Sequence, residues 1–586
     1  MFAKKNLNNQ LIIVFSIFFI SLSIRFFGLN WDQNQHLHPD ERFLTMLVST
    51  IQFPSSVGQY FDTKNSPLNP FNYQDFHFFV YGTFPLFLVK SMGFLFNVSS
   101  YENIHFIGRI LSAIFDSLNI FSLYFLAKLI FPKNKKNLLF LPGLFYCFTV
   151  LPIQLSHFFA VDTFLSFFIL LTFVLMSYWL KTNNNFLLLF ASITFGLSMS
   201  CKISAILLAP IIFLFFLYHF RQKKIIFLIK AVFFVLFSLI IFRIFQPYSF
   251  IGIFKINPDF INSLNYLKSI LLNKDVFYPP EIQWLTKTPV LFPLQNIILF
   301  GLGLPISITL LVSVKNIFSI KFKRFFLSHD NFIIFLASVW VIFVLIQQGL
   351  QFTSTMRYFL PIYPFICLLA VFFNLFSKKH HQLFILTFIF HLIYCILFLS
   401  IYTKPHTRVQ ASDWIYKNIP KSSTIANEYW DDALPLSLDY SSLSFYINNN
   451  LPLYDPDTEI KWQKINSILN NTDYIFLTSN RLWSSITQIP RRYPITTEYY
   501  QELFDGNSQF KKIMEFNSYP GISLPILNKC IYFGPTNFPY LKNKNHWVDI
   551  DSSCKYPGIY FRDDISEEAF SVYDHPKVIL FKKMIN

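Results

Sequence analysis

The residues with the plainest chemical potential are His38-Pro39-Asp40-Glu41-Arg42, about ten residues beyond the first long apolar stretch. Two adjacent carboxylates at this place have two readings. As helix-start residues they follow Pro39 at the first helical position and complement the helix dipole. As chemistry, an ionised carboxylate is a general base that can take the proton of an attacking hydroxyl. Asp116 and Asp162 are the acids inside the apolar segments or at their edges. An ionisable group there is costly, so it is either partnered or functional. Asp116 follows Arg109 by seven residues, two helical turns along one face. That spacing predicts a buried structural pair or a local charge network. Asp162 follows His157 by five residues and reads either as a site residue or as an interfacial cap. Arg109, Lys202, Arg243 and Arg357 lie at the ends of apolar segments, and each asks for a partner. A phosphate suits them, because Arg offers a bidentate fork and Lys a point charge. Snorkelling or pairing with loop carboxylates is the plainer alternative.

Two further clusters are open to a plain reading. In Pro279-Pro280-Glu281-Ile282-Gln283-Trp284 the Trp reads first as an interfacial anchor and second as a platform for a sugar ring. Glu428-Tyr429-Trp430-Asp431-Asp432 reads first as a solvated domain surface and second as a contact for saccharide or peptide. Cys147, Cys201, Cys367 and Cys395 lie within or beside apolar segments and read as small core residues. Cys530 and Cys554 lie in the polar C-terminal part, where an oxidising compartment would allow a disulfide. No CxxC or His/Cys metal spacing occurs.

These groups are carried on an unusually apolar chain. Of 586 residues, 53% are hydrophobic and only 14% charged, which calls for much surface facing lipid. The net charge of +16 sits mostly in short clusters between apolar runs, a pattern of membrane-anchoring loops that argues against a nucleic-acid partner. With roughly 20 apolar residues needed per span, spans are predicted at 11–28, 105–131, 138–156, 161–180, 186–201, 203–220, 227–246, 289–314, 331–349, 358–376 and 383–402. From a cytoplasmic N-terminus, the inner loops then carry Lys133-Lys135-Lys136, Lys181, Arg221-Lys223-Lys224, Lys321-Lys323-Arg324 and Lys378-Lys379. All five are basic, as the positive-inside rule requires. The outer face receives loops 30–104 and 247–288 and everything after 403. Stretches 39–53 and 76–96 of the first loop are expected to lie along the interface. The expected fold is a mainly α polytopic bundle of about eleven spans over 1–402, followed by a soluble extracytoplasmic α/β domain over 403–586. Asp40, Asp162, Arg109, Lys202 and Arg357 all fall on the outer side.

The order and sidedness of these residues resemble the GT-C superfamily of membrane glycosyltransferases. The specific likeness is to the family-39 type, which includes protein O-mannosyltransferases and the aminoarabinose transferases of lipid A. The resemblance covers roughly residues 10–402. It rests on the Asp40-Glu41 pair after the first span, His157-Phe158-Phe159-Ala160-Val161-Asp162, Ser200-Cys201-Lys202-Ile203-Ser204, and the Arg357-Tyr358-Phe359-Leu360-Pro361 stretch. It implies a polyprenyl-phosphate-linked sugar donor, inversion at the anomeric carbon, and a protein, lipid or glycan acceptor on the outer face of a bacterial cytoplasmic membrane. Asp40 would be the general base, and Glu41 would orient Asp40 or the acceptor. Asp162 would bind acceptor or sugar hydroxyls, Arg109, Lys202 and Arg357 would hold the donor phosphate, and His157 and Tyr358 join them as substrate-binding residues. Two departures stand out. Loop 247–288 is too short for the β-trefoil of eukaryotic mannosyltransferases, and Asp40-Glu41 lacks the Asp-x-Asp spacing of metal-dependent oligosaccharyltransferases. No dedicated metal is therefore assigned, though paired carboxylates could take up a divalent ion weakly. The rival reading is a transporter or flippase of lipid-linked sugars. It fits the spans and outer cations, but such folds tend to show internal repeats and broken helices at the midplane.

Overall fold

The computed structural model describes residues 2–220, 226–272, 278–319, 328–374, 381–438, 445–535, 547–552, 554 and 556–584. The basic loops Arg221-Lys223-Lys224, Lys321-Lys323-Arg324 and Lys378-Lys379 lie outside the described residues. The chain divides into two compact units, one of Met1–Leu29, Pro39–Leu272 and Pro293–Cys395, the other of Asn30–His38, Asn273–Phe292 and Ile396–Asn586. The sequence places 30–38 and 273–292 with the membrane part. In the structure 30–38 and the described part, 278–292, group with the C-terminal unit, and Ile282 enters its core.

The first unit is helical. Among the described residues seven helices are long and apolar enough to cross a membrane, or up to nine if each of two bent pairs is one span. The eleven predicted stretches all fall on helices, but of three kinds. Those at 138–156 and 289–314 are bent by 59° and 118°, and those at 186–201 and 203–220 are shorter than a full span. The helices that frame the polar residues are α1 (Phe2–Phe26), α2 (Pro39–Thr50), α3 (Val57–Phe61), α4 (Thr83–Leu95), α5 (Tyr101–Ile130), α6 (Leu141–Cys147), α7 (Val150–Ser156), α8 (Asp162–Thr182) and α9 (Asn185–Cys201). In α2, Pro39 occupies the first position, and Leu44, Leu47 and Val48 form one apolar face. That face packs with Leu86 and Val89 of α4, Ile104 of α5 and Tyr248. A short hairpin, β1 (Phe250–Ile251) with β2 (Lys255–Ile256), follows in the same unit.

Two glycines set close approaches. A Cβ on Gly82 would lie 1.9 Å from the Ser200 carbonyl oxygen, and the Gly82 amide donates to the Cys201 carbonyl at 2.9 Å. A Cβ on Gly108 would lie 2.2 Å from the Phe159 ring. The first draws the segment before α4 onto the C-terminus of α9. The second draws α5 onto the turn that leads into α8.

The second unit is α/β, as its composition predicts. Strands β3 (Thr424–Glu428), β4 (Ile447–Leu451), β5 (Tyr474–Leu477), β6 (Phe510–Phe516) and β11 (Val578–Lys583) form a sheet of order β4-β3-β5-β11-β6. Strand β3 is parallel to β4 and β5, while β11 is antiparallel to β5 and β6. Alternation gives the sheet two cores. Ile475, Leu477, Ile579 and Phe581 face one with Trp462 and Trp483, and Tyr474, Phe476, Val578 and Leu580 face the other with Ala411 and Ile415. A smaller sheet of β7 (Gly521–Ser523), β8 (Cys530–Phe533), β9 (Val548–Asp551) and β10 (Gly558–Phe561) has the order β7-β10-β8-β9. Cys530 and Cys554 are joined by a disulfide.

Two plain readings of this region are corrected. Trp284 is 5% exposed and packs on Phe292, so it is neither an interfacial anchor nor an open platform. The 428–432 cluster is not a solvated surface. Glu428 is buried against the Tyr500 hydroxyl, and Asp431 and Asp432 both pair with the buried Arg408, at 2.5 and 2.8 Å. Only Tyr429 and Trp430 of that cluster are exposed.

The same unit holds a buried His575 between Asp574 (2.5 Å) and Asp563 (2.8 Å), with the Tyr402 hydroxyl on Asp574. Burial alone would lower the imidazole, but the two carboxylates outweigh it and raise His575 to about 10. A folded value above the unfolded one, ~6.5, stabilises the charged native form. That contribution is complete below the unfolded value and is lost as pH rises from there through about 10. Thermal unfolding of the purified chain, followed by tryptophan fluorescence, should therefore show midpoints falling over this window. His575→Gln should be less stable at pH 6 and lose the slope. An unchanged slope in the variant would show that other groups set it.

Candidate active site

The acids and cations singled out in the sequence assemble in the helical unit at helix ends. Asp40 and Glu41 are in the first turn of α2, Asp162 begins α8, and Lys202 caps the C-terminus of α9 in extended conformation. Arg357 and Tyr358 lie in the turn Met356–Ile362. An acid at a helix N-terminus and a cation at a C-terminus both complement the helix dipole, so each charge is favoured where it stands.

One cluster is partly open. Arg357 pairs with Asp40, and the two side chains are 25% and 23% exposed. The Arg357 guanidinium also interacts with Tyr358, Asp162 and Tyr81. Lys202 Nζ is 2.9 Å from Asp162 Oδ1 and 4.6 Å from the centre of the Tyr358 ring, while Arg357 lies 5.6 Å from the same ring. Tyr81 is hydrogen-bonded to Asp40. Burial raises its hydroxyl well above the ordinary tyrosine value, and the Asp40 charge and hydrogen bond raise it further, so the phenol keeps its proton for Asp40. Asp40, Tyr81, Arg357, Tyr358, Lys202 and Asp162 thus form one connected group. Sequence inspection missed Tyr81, since an aromatic in an aromatic-rich loop carries no periodic signal. The Tyr81-Gly82 dipeptide was the available clue, because Gly82 permits the contact that brings this segment onto α9.

A second group is closed. Glu41 and Arg109 have no exposed side-chain surface. Arg109 Nε lies 3.0 and 3.1 Å from the two Glu41 oxygens, its terminal nitrogen pairs with the same carboxylate, and its other arm donates to the Leu29 carbonyl at 2.7 Å. Glu41 also accepts the Phe159 amide at 2.6 Å. This pair joins α2 and α5 to the turn before α8. Arg109 therefore does not pair with Asp116, and it presents no group to a phosphate. Geometry replaces the same-face expectation, because the guanidinium reaches another element instead of running along its own helix. Asp116 instead binds Arg25 at 2.6 Å and accepts the Tyr146 hydroxyl at 2.5 Å, a buried charge network of the kind its position predicts. His157 is also fully buried, with Nδ1 on the Ile153 carbonyl and Nε2 on the Phe27 carbonyl, both at 2.8 Å. It reads as a bolt between α7 and the end of α1, not as a substrate-binding residue. Arg243 serves loop 247–256, donating to the Gly252 carbonyl at 2.6 Å and lying over Phe61 and Phe250.

Among the described residues no group of three or more His, Cys, Asp or Glu side chains is arranged to hold a metal ion. The immediate partners of Asp40, a guanidinium and a phenol, suit an anionic or hydroxylated ligand.

Comparison with known proteins bears on part of the chain. Residues 95–243 match the family model described as dolichyl-phosphate-mannose-protein mannosyltransferase. No curated protein matches. Among solved structures, the Archaeoglobus fulgidus oligosaccharyltransferase AglB, in complex with an inhibitory peptide and a dolichol-phosphate, superposes with a TM-score of 0.46 at 14% identity, covering 83% of this chain and 72% of that one. ArnT from Cupriavidus metallidurans, bound to undecaprenyl phosphate, does so with 0.46 at 12% identity, covering 70% and 72%. The family-39 likeness read from the residues and the family-model match name the same group. Over residues 95–243, the stretch that carries Arg109, His157, Asp162 and Lys202, this chain is similar to the dolichyl-phosphate-mannose-protein mannosyltransferases.

Proposed function

We propose that this protein is an integral-membrane glycosyltransferase that moves a sugar from a polyprenyl-phosphate donor to an acceptor hydroxyl, with inversion. The observation that carries the reading is the open cluster itself. One carboxylate with a protonated tyrosine, two cations and a second carboxylate meet at helix ends in the helical unit, partly open, unlike its closed buried ion pairs. Asp40 takes the proton of the acceptor hydroxyl as its oxygen attacks the anomeric carbon. The bond from that carbon to the phosphate oxygen breaks, and the electron pair leaves with the phosphate. Arg357 and Lys202 hold the phosphate and stabilise the charge that grows on it. In the resting protein Arg357 sits on Asp40, so an incoming phosphate competes for the guanidinium and frees the base. Asp162 holds Lys202 and lies within reach of sugar hydroxyls. Tyr358 packs under both cations. Glu41 is a positioning residue that acts through α2 and Arg109.

The orientation belongs to the same proposal. Basic loops set the N-terminus in the cytoplasm and the C-terminal unit outside. The Cys530–Cys554 disulfide supports an oxidising compartment for that unit. The family description and the lipid phosphates bound by the two solved proteins suggest the donor class, and a protein acceptor is in keeping with the family description.

The test is a proteoliposome assay with a radiolabelled sugar on a polyprenyl phosphate and a total envelope extract as acceptor. Label should move to acceptor while free polyprenyl phosphate accumulates in equal amount. Passage of the intact lipid-linked sugar across the bilayer without cleavage would favour the transporter reading instead.

A further inference from the structure

The C-terminal unit contains a cleft of about 1290 Å³ between the face of the large sheet at β6, the helix Thr407–Asn418 and the small disulfide-bearing sheet. Its size exceeds the usual range of ~300–1,000 Å³ for a single small molecule, and it has room for a chain of linked units. The wall on the small sheet is ordered by register. Tyr560 pairs with Tyr532, and Tyr532 pairs with Asp549, so these three side chains leave the same face in a row. The two rings lie 5.8 Å apart and are tilted by 31°. Asp551 is two residues along β9 and stands on that face too.

Polar groups frame the rings. Arg562 donates to Asp549 at 2.7 Å and lies 5.7 Å from the Tyr532 ring. Lys404 lies 4.5 Å from the centre of the Tyr560 ring, and burial lowers its ammonium to about 8. The Cys530–Cys554 bond holds β8 to the segment after β9 and so keeps this wall rigid.

Three ligand classes fit poorly. Five cationic and five anionic side chains line the cleft, so it has no net charge to attract a phosphate or an acidic peptide. An added peptide strand would need an open sheet edge. Among the described residues β9 and β6 are such edges on this cleft, but Asp549 and Asp551 on the one and Lys512 and Glu515 on the other place charges there, which discourages strand addition. A purely apolar ligand would strip water from the Asp549–Arg562 pair and from Asp551 and offer no hydrogen bond in exchange. A saccharide has the missing combination. Its ring has an apolar C–H face to lie on tyrosine and a rim of hydroxyls that both donate and accept hydrogen bonds.

We propose that this cleft binds a neutral glycan of several sugar units, with Tyr532 as stacking platform and Asp549 and Asp551 as acceptors for hydroxyl groups. That the glycan is an acceptor for transfer rests on the glycosyltransferase reading, but binding does not. The experiment uses the full chain in lipid nanodiscs, because sugar-headed detergents would compete. Mannotetraose, chitotetraose and maltotetraose are presented at millimolar concentration and followed by saturation-transfer NMR and calorimetry. At least one tetraose should bind. Asp551→Asn and Tyr532→Leu should each weaken it about tenfold, in line with losing a hydrogen bond to a charged group or an aromatic contact, with the thermal unfolding midpoint unchanged. Tetraose binding should persist in Asp40→Asn. Silence from all three sugars, an affinity in both variants equal to that of the parent, or capture of an unglycosylated peptide in their place would overturn the proposal. Intact tetraose binding in a parent chain that cleaves no polyprenyl-phosphate sugar would overturn only the transferase reading.

Discussion

Asp40→Asn is expected to leave the protein inserted and folded while lowering sugar transfer by about 10²–10⁴-fold, the range for loss of a general base. The argument is geometric. Asp40 is a quarter exposed, so it pays no burial cost that the amide would change much. Asparagine keeps the shape and can still accept from Tyr81, but it cannot take a proton. The substitution also releases Arg357 from its partner, which leaves the cation free for a phosphate. Donor affinity should thus hold or improve while turnover collapses, and the effect should appear in kcat instead of KM. Arg357→Ala should do the reverse in part, raising KM for the lipid-linked sugar as well as slowing the step. The check is steady-state kinetics in proteoliposomes with donor concentration varied. Normal turnover in Asp40→Asn would remove Asp40 as the base.

Arg109→Met should destabilise the helical unit by about 3–5 kcal/mol, the cost of leaving one partner of a buried ion pair alone. Glu41 has no exposed side-chain surface, and without Arg109 its charge keeps only neutral donors such as the Phe159 amide. The loss should be visible as a lower midpoint in heating followed by size-exclusion chromatography. Glu41→Leu with Arg109→Met should be milder than the sum of the single changes, since contacting residues do not add. Activity in the double variant then separates two roles. If Glu41 only positions α2, turnover should recover in proportion to folded protein. If it touches the substrate, stability returns and turnover does not. A single Arg109→Met variant as stable as the parent would show that the pair does not hold the unit together.

The class of this protein and the inventory of its chemical groups were legible in the residues alone. Hydropathy is a local sum, so a window of apolar residues marks a helix that must be covered by lipid or protein wherever it packs. The scarcity of acids in these windows made Asp116 and Asp162 stand out, and the helix-end positions of Asp40 and Lys202 followed from Pro39 and from the break at Lys202. The identity of each partner was not legible. Arg109 could reach Asp116 along its own helix, yet it binds Glu41, 68 residues away, because Gly108 lets α5 approach the Phe159 turn. Tyr81 gained a role only when Gly82 brought it onto α9. Trp284 and Glu428 looked like surface residues until the second unit folded over them. A charge at the end of a span announces that it needs a partner, since burying it alone is costly. Which partner it meets depends on how several helices cross, and that depends on contacts hundreds of residues apart that leave no local trace.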